Sequence, residues 1–251
     1  MITLSSDFGS PYPAAMRGVL LDSCTAQCVD IAHDFERGNI RTTAFWLREI
    51  LPYFPPAIHL IVIDPGVGTD RSVLVVRAGE HAFVGHDNGV MYPAIEAIDT
   101  EWEAFELTEY SSASSTFHGR DVFAPLAAQV ANSGVAHIQD LSHLEPVDEI
   151  TAVTFPQPSI SANTIEATVL AIDDFGNVIT NVPEEVTRTR VESAIEIEGN
   201  RIPFVHTYAF VPTGSPLATI GSHGNLELAC NGDRGDTYFD VTEGDELRIG
   251  V

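Results

Sequence analysis

The chain has 251 residues, 44% hydrophobic and 8% aromatic, with 15 Pro and 19 Gly, a globular composition that excludes wholesale disorder, collagen and coiled coil. It carries 36 acids against 12 bases, every base an Arg, for a net charge of −24, which repels phosphate backbones and excludes nucleic acid as a partner. No apolar run nears the roughly 18 residues of a membrane span, and the opening MITLSSDFG lacks a secretory signal, so the expectation is a soluble, cytoplasmic protein of one or two domains.

Residues 2–6 read as a strand ending at Asp7, and residues 13–22 as a helix with Pro13 in its first turn. AQCVDI (26–31) reads as a strand. Residues 38–51 place Ile40, Ala44, Leu47 and Leu51 on one helical face, stopped by Pro52. IHLIVID (58–64) is a nearly continuous apolar run, as in a strand covered on both faces. SVLVVRA (72–78) and HAFVG (81–85) predict two further strands, and residues 90–98 and 121–134 predict helices, the last closed by Gly134. The alternation predicts an α/β domain over 1–150 with a central, mostly parallel sheet. PVDEITAVTFPQPSI, from 146, reads as a linker. The short alternating stretches after it predict a smaller all-β domain over 160–251, barrel-like or sandwich-like.

Acidity without any Lys points to adaptation to concentrated salt, where the Debye length falls to roughly 3 Å at 1 M and self-repulsion is screened. Cys24, Cys28 and Cys230 are too few for a disulfide framework and read as small buried thiols. No His, Cys, Asp or Glu grouping has metal-ligand spacing, so neither a metal nor a cofactor is expected.

Chemistry-bearing residues gather where strands end. Asp64 follows the buried run LIVI, and the carboxyl ends of strands in an open α/β sheet face the ligand crevice. The turn Gly66-Val67-Gly68 can fold back and bring Arg71 to Asp64; a plain loop brace reads equally from spacing. The glycine pair is no dinucleotide fingerprint, and a chain without Lys has no P-loop Lys. Asp7 also ends a strand, either as a site acid or as a turn residue. His118, in TFHGRD, stands before a helix, where it can titrate as a base or simply cap. His33, His59, His81, His86, His137, His143 and His206 show no ligand pattern, and His33 reads as structural. In AIDDFGNVITNV (171–182), Phe175 and Asn177 offer a flat ring and an amide, which suits a purine; the alternative is a β-turn between strands.

The ordered set SSDFG, IDPGVGTDR, HDNG, TFHGRD and AIDDFGNVITNV resembles the S-adenosylmethionine hydroxide adenosyltransferases, relatives of the S-adenosylmethionine-dependent fluorinase and chlorinase. The resemblance runs over nearly the whole chain. It implies hydrolysis of S-adenosyl-L-methionine to adenosine and L-methionine, with that molecule as substrate rather than cofactor. It also implies a homotrimer whose active sites lie between the N-domain of one subunit and the C-domain of the next. By motif, Asp64, Arg71 and His118 match the set around the attacking water, Asp64 or His118 taking its proton. Asp7 matches the acid on the ribose hydroxyls and Asp173 an acid near the substrate amino group. Phe175 and Tyr208 match the rings that sandwich adenine, and Asn177 the group at its edge. Ser222 matches a contact to the amino-acid end and Gly232 a backbone contact to adenine. The chain departs from the pattern at Ser10-Pro11-Tyr12-Pro13, where relatives carry a second acid, at Gly38, where they often have an aromatic, and at His223, where halogenases have an Arg. A halogenase and a non-catalytic adenosine or S-adenosylmethionine binder are the alternatives. An anionic Asp64 beside the nucleophile disfavours halide, and a binder needs none of Asp64, Arg71 and His118.

Overall fold

The computed structural model describes residues 1–65, 71–99, 101–108, 117–191 and 193–250. They fall into two compact units, Met1–Val153 and Thr154–Val251.

The N-terminal unit runs β1 (Ile2–Ser6), α1 (Tyr12–Ser23), β2 (Cys28–Ala32), α2 (Ile40–Ile50), β3 (Ile58–Val62), β4 (Val73–Ala78), β5 (His81–His86), α3 (Tyr92–Ile98), β6 (Trp102–Leu107), α4 (Ala124–Ser133) and β7 (Leu144–Val147). Its seven strands order as β2-β1-β3-β5-β4-β6-β7. Pairing is parallel from β2 through β1 and β3 to β5. It is antiparallel from β5 through β4 and β6 to β7. The sheet is therefore mixed, where the sequence predicts a mostly parallel one. The predicted parallel half is present, and the tight Gly79-Glu80 connection forces β4 and β5 to run antiparallel.

β3 is buried at every residue because it lies inside the sheet, between β1 and β5. Ile2, Leu4, Ile58, Leu60 and Val62 share a core with Met16 and Leu20 of α1 and Leu126, Ala127 and Val130 of α4, and α1 packs on α4. Along a strand successive side chains point to opposite faces, so Thr3 and His59 lie on the other face. There Thr3 Oγ1 and His59 Nδ1 are 2.8 Å apart, and His59 Nε2 lies 3.0 Å from His81 Nδ1. Burial first, and the neighbouring His81 second, push the His59 pKa down to about 3. His33 braces β1 to β2, its Nδ1 2.7 Å from Ser6 Oγ, which is the structural role its position suggests.

β7 corrects the linker reading. Pro146 is not the start of a linker but the partner of Phe105 on the sheet edge, a place where a missing N–H is tolerated. α4 is preceded by one wide turn over Gly119–Phe123, closed by Ala124 N–H on the Gly119 carbonyl, so helical structure reaches back to Gly119, directly after His118 as its sequence position suggests. Gly134 ends it with φ +87°.

The C-terminal unit runs β8 (Ser159–Ile160), β9 (Thr164–Ile172), β10 (Val178–Pro183), α5 (Glu184–Thr187), β11 (Ser193–Ile197), β12 (Asn200–Phe204), β13 (Pro216–Ile220), β14 (Asn225–Cys230), α6 (Gly235–Phe239) and β15 (Glu246–Gly250). Strands order as β10-β14-β13-β12-β11-β15-β9-β8, and β10 also pairs with β9. That pairing closes seven strands into a barrel, with β8 attached to β9, so of the two architectures expected here the barrel is the one formed. Its interior is filled by Ile165, Val169, Val178, Ile195, Ile202, Phe204, Leu226, Leu228 and Ile249. The three cysteines are free thiols; Cys230 is buried, whereas Cys24 and Cys28 are only half-buried. Among the described residues, no helix is long and apolar enough to cross a membrane.

Candidate active site

The register of β1 on β3 pairs Ser6 with Val62. Asp7 and Asp64 therefore emerge from neighbouring strand ends, at the carboxyl edge of the parallel half. Leu60 pairs with Val84 of β5, so His86 reaches the same edge. Asp64 is nearly dry, its side chain 5% exposed. Arg71 Nη1 lies 3.3 Å from its Oδ1, and His86 Nε2 lies 2.9 Å from its Oδ2. The His86 and His118 rings are 6.3 Å apart between centroids. The glycine turn thought to carry Arg71 back, residues 66–70, and Thr116 of TFHGRD lie outside the described residues.

Asp7, Asp64 and His118 line one cavity of about 600 Å³, a volume suited to a small-molecule ligand. Phe8, Tyr12 and Phe117 line it too, with rings meeting edge to face at 5.5 to 6.3 Å. Arg37 and Arg120 supply positive charge there; Arg120 is paired with Asp121 and lies 5.2 Å over the Phe117 ring. Asp7 Oδ2 accepts the Gly38 N–H at 2.7 Å. Gly38 has φ +73°, and a Cβ there would sit 3.2 Å from Pro65 Cβ, so the loop after β2 approaches the loop after β3 closely enough to favour Gly.

In the C-terminal unit, Asp173 caps a tight turn between β9 and β10. Its Oδ1 accepts the N–H groups of Phe175 and Asn177 at 3.0 and 2.8 Å. Its Oδ2 accepts the Asn177 side-chain amide at 2.9 Å. Asp173 and Asn177 thus occupy one another. Phe175 stands 79% exposed, and Arg234 braces the turn through the Asp174 carbonyl. Tyr208 donates its hydroxyl to Glu227. Burial first, and that bond second, raise the Tyr208 pKa above the usual phenol range. His223 Nε2 lies 3.3 Å from the other oxygen of Glu227, while His223 Nδ1 accepts the Asn225 N–H at 3.3 Å. That acceptance puts the ring proton on Nε2, so His223 serves here as a neutral donor to Glu227. Ser222 is exposed in the turn beside it. Gly232 sits in the turn after β14 with φ +76°.

Sequence reasoning missed His86, Arg37, Glu227 and the cavity aromatics Phe8, Tyr12, Phe117 and Phe123. His86 was within reach of the rule that singles out Asp64, because it too ends a strand of the parallel half. Glu227, a carboxylate inside the apolar strand NLELAC, is only 5% exposed. Among the described residues, no three His, Cys, Asp or Glu side chains are grouped to hold a metal ion.

The N-terminal domain of the SAM hydroxide adenosyltransferase family matches residues 2–142, and the C-terminal domain of that family matches residues 167–248. The chain belongs to this family. It is 35% identical over 257 residues to an (R)-S-adenosyl-L-methionine hydrolase of Salinispora tropica, covering 99% of this chain and 97% of that one. A protein of the same name from Thermus thermophilus is 35% identical over 259 residues, covering 97% of each chain. One from Methanocaldococcus jannaschii is 30% identical over 266 residues, covering 99% of this chain and 95% of its own. Among solved structures, an uncharacterized conserved protein of Thermotoga maritima superposes with a TM-score of 0.86 at 28% identity, covering 99% of both chains. The family places both domains in the order that the five motifs follow.

Proposed function

We propose that the chain hydrolyses S-adenosyl-L-methionine to adenosine and L-methionine by attack of water at the ribose C5′. Membership of the SAM hydroxide adenosyltransferase family and relatives named as (R)-S-adenosyl-L-methionine hydrolases support this over a halogenase or a binder. The observation that carries the mechanism is a nearly dry Asp64, held by Arg71 and sharing one cavity with His118 and Asp7.

The sulfonium is already a good leaving group. The C5′–S bond breaks with its electron pair going to sulfur, and the water oxygen forms the new C5′–O bond. Water is the weak partner, and its proton goes to Asp64 or His118. Arg71 fixes the carboxylate so that the water is aimed along the C5′–S axis. Positive and negative charge cancel as nucleophile and sulfonium combine, so a dry site favours the transition state. No metal or cofactor enters the scheme. Asp7 would hold the ribose hydroxyls. Asp173, Phe175, Asn177, Tyr208, Ser222 and Gly232 would contact adenine and the amino-acid end.

The proposal extends to a homotrimer in the cytoplasm, in which a neighbouring subunit supplies those C-terminal contacts. Its support is the exposure of Phe175, Phe210 and Tyr238 at 79%, 69% and 51%, large rings that a partner or ligand would cover. The charge of −24 without Lys supports adaptation to salt; melting in dilute buffer is expected well below melting in molar KCl, and equal melting temperatures would remove that part.

The deciding experiment is chromatography of the protein incubated with each sulfonium epimer of S-adenosyl-L-methionine in molar KCl, with and without added fluoride or bromide. Adenosine and methionine are expected. A 5′-halo-adenosine would transfer the reading to the halogenases, and retained adenosine without turnover would leave a binder.

A further inference from the structure

One buried imidazole at the site has no part in the scheme above. His86 ends β5, the parallel neighbour of β3. Gly85 brings it there: a Cβ at that position would lie 2.7 Å from the Ile61 carbonyl oxygen and 3.1 Å from Met91 Sδ. Only Gly lets β5 run this close to β3, and the next residue then arrives beside Asp64. The His86 side chain is 3% exposed and that of Asp64 5%, so neither has water to compensate for a poor contact.

His86 Nε2 stands 2.9 Å from Asp64 Oδ2, with its N–H direction off the hydrogen-bond axis. Nε2 faces a carboxylate oxygen and Nδ1 a carbonyl oxygen, both acceptors only, and with a proton on Nε2 a small ring rotation turns the 2.9 Å contact into a hydrogen bond. The ring is held from its other sides. Nδ1 is 3.4 Å from the Ser72 carbonyl oxygen, and the Phe123 ring meets it edge to face at 4.7 Å. Arg71 takes the opposite oxygen of the same carboxylate at 3.3 Å. A carboxylate gripped by one oxygen swings about its Cβ–Cγ bond; gripped by both, it presents one orientation.

We propose that His86 is a positioning residue for the hydrolysis: its Nε2–H holds Asp64 Oδ2 while Arg71 holds Oδ1, fixing the carboxylate that receives the attacking water. The inference rests on the hydrolase reading. His86 acts through Asp64, so its loss should lower kcat and leave KM nearly unchanged.

The test compares hydrolysis of S-adenosyl-L-methionine by the full chain with His86→Leu, His86→Gln and His86→Asn, with a melting curve for each. The Gln amide nitrogen reaches the place of Nε2; the Asn amide reaches only that of Nδ1, toward Ser72. His86→Leu and His86→Asn are expected to lose about 100-fold in kcat, the scale of a small misplacement of a reacting group, with KM kept. His86→Gln should recover most of that loss. Equal recovery by Asn and Gln, a loss confined to KM, or full kcat in His86→Leu would overturn the proposal. If His86→Leu fails to fold, the contrast between Gln and Asn decides. An inactive parent would overturn the hydrolase reading and this inference with it; an active parent with an active His86→Leu overturns this inference alone.

Discussion

The two units carry their candidate residues in opposite ways. In the N-terminal unit the side chains come from distant stretches: Asp7 after β1, Asp64 after β3, His86 on β5, and His118 before α4. Sheet register brings them to one edge, and each is wholly or partly buried. In the C-terminal unit Asp173, Phe175 and Asn177 sit within five residues of one turn, and their polar groups satisfy one another. The first arrangement is assembled by the fold, as the proposed chemistry requires. The second is local and presents Phe175 to the surroundings, as suits a surface that meets a ligand or a second subunit.

Four substitutions or titrations would sharpen or break that contrast. The largest effect is expected at Asp64. Asp64→Asn should lower kcat at least about 1,000-fold, or about 4 kcal/mol, with calorimetric affinity for adenosine kept. Parallel loss of affinity would make Asp64 a brace rather than a reacting group. Next comes the buried His59. Its folded pKa of about 3 lies below an unfolded value near 6.5. The unfolded chain therefore takes the proton first, and stability present above about pH 6.5 is lost as pH falls toward 3. About 2 kcal/mol should be gone by pH 5, and His59→Gln should flatten that limb of a denaturant titration; an unchanged acid limb would refute it. Asp173→Ala removes three hydrogen bonds from its turn and should cost about 1–2 kcal/mol in thermal stability. If melting does not move, the backbone hydrogen bonds of the turn and Arg234 hold it without the Asp173 carboxylate. Phe175→Ala should change stability by less than about 0.5 kcal/mol, because the ring is exposed. Its KM for S-adenosyl-L-methionine should still rise about 10-fold through lost stacking; an unaltered KM would remove Phe175 from the adenine site.

Much of the N-terminal unit was legible because its strands announce themselves. IHLIV and VLVV are runs that only a strand covered on both faces would carry. β6 and β7 were not. WEAFEL interleaves Glu103 and Glu106 with its apolar residues, and Pro146 inside β7 reads as a breaker until the edge position explains it. β13, PLATI, lies between Ser215 and Gly221 and offers too short a period to count. At the site, the rule that strand ends face the crevice pointed to Asp7 and Asp64. His86 follows the same rule but is hidden in the sequence, since HDNG reads locally as a turn. Distances such as 3.3 Å between Arg71 and Asp64 come from the fold, because spacing permits a pair without requiring one. In the C-terminal unit both readings of AIDDFGNV, turn and ligand contact, start from the same residues. The structure has the turn.

The placement of Pro146 has a further consequence for how these molecules coexist in solution. An open sheet ends in unpaired amide and carbonyl groups that can recruit a strand from another copy. Surface charge ordinarily holds such copies apart, but at molar salt its reach shrinks to roughly 3 Å, less than the spacing between paired strands. β7 is four residues long and lacks one donor at Pro146, and the barrel of the C-terminal unit has its seven strands closed upon themselves. Protection of the β7 edge against fibrous association is thus built from chain geometry, which salt does not screen.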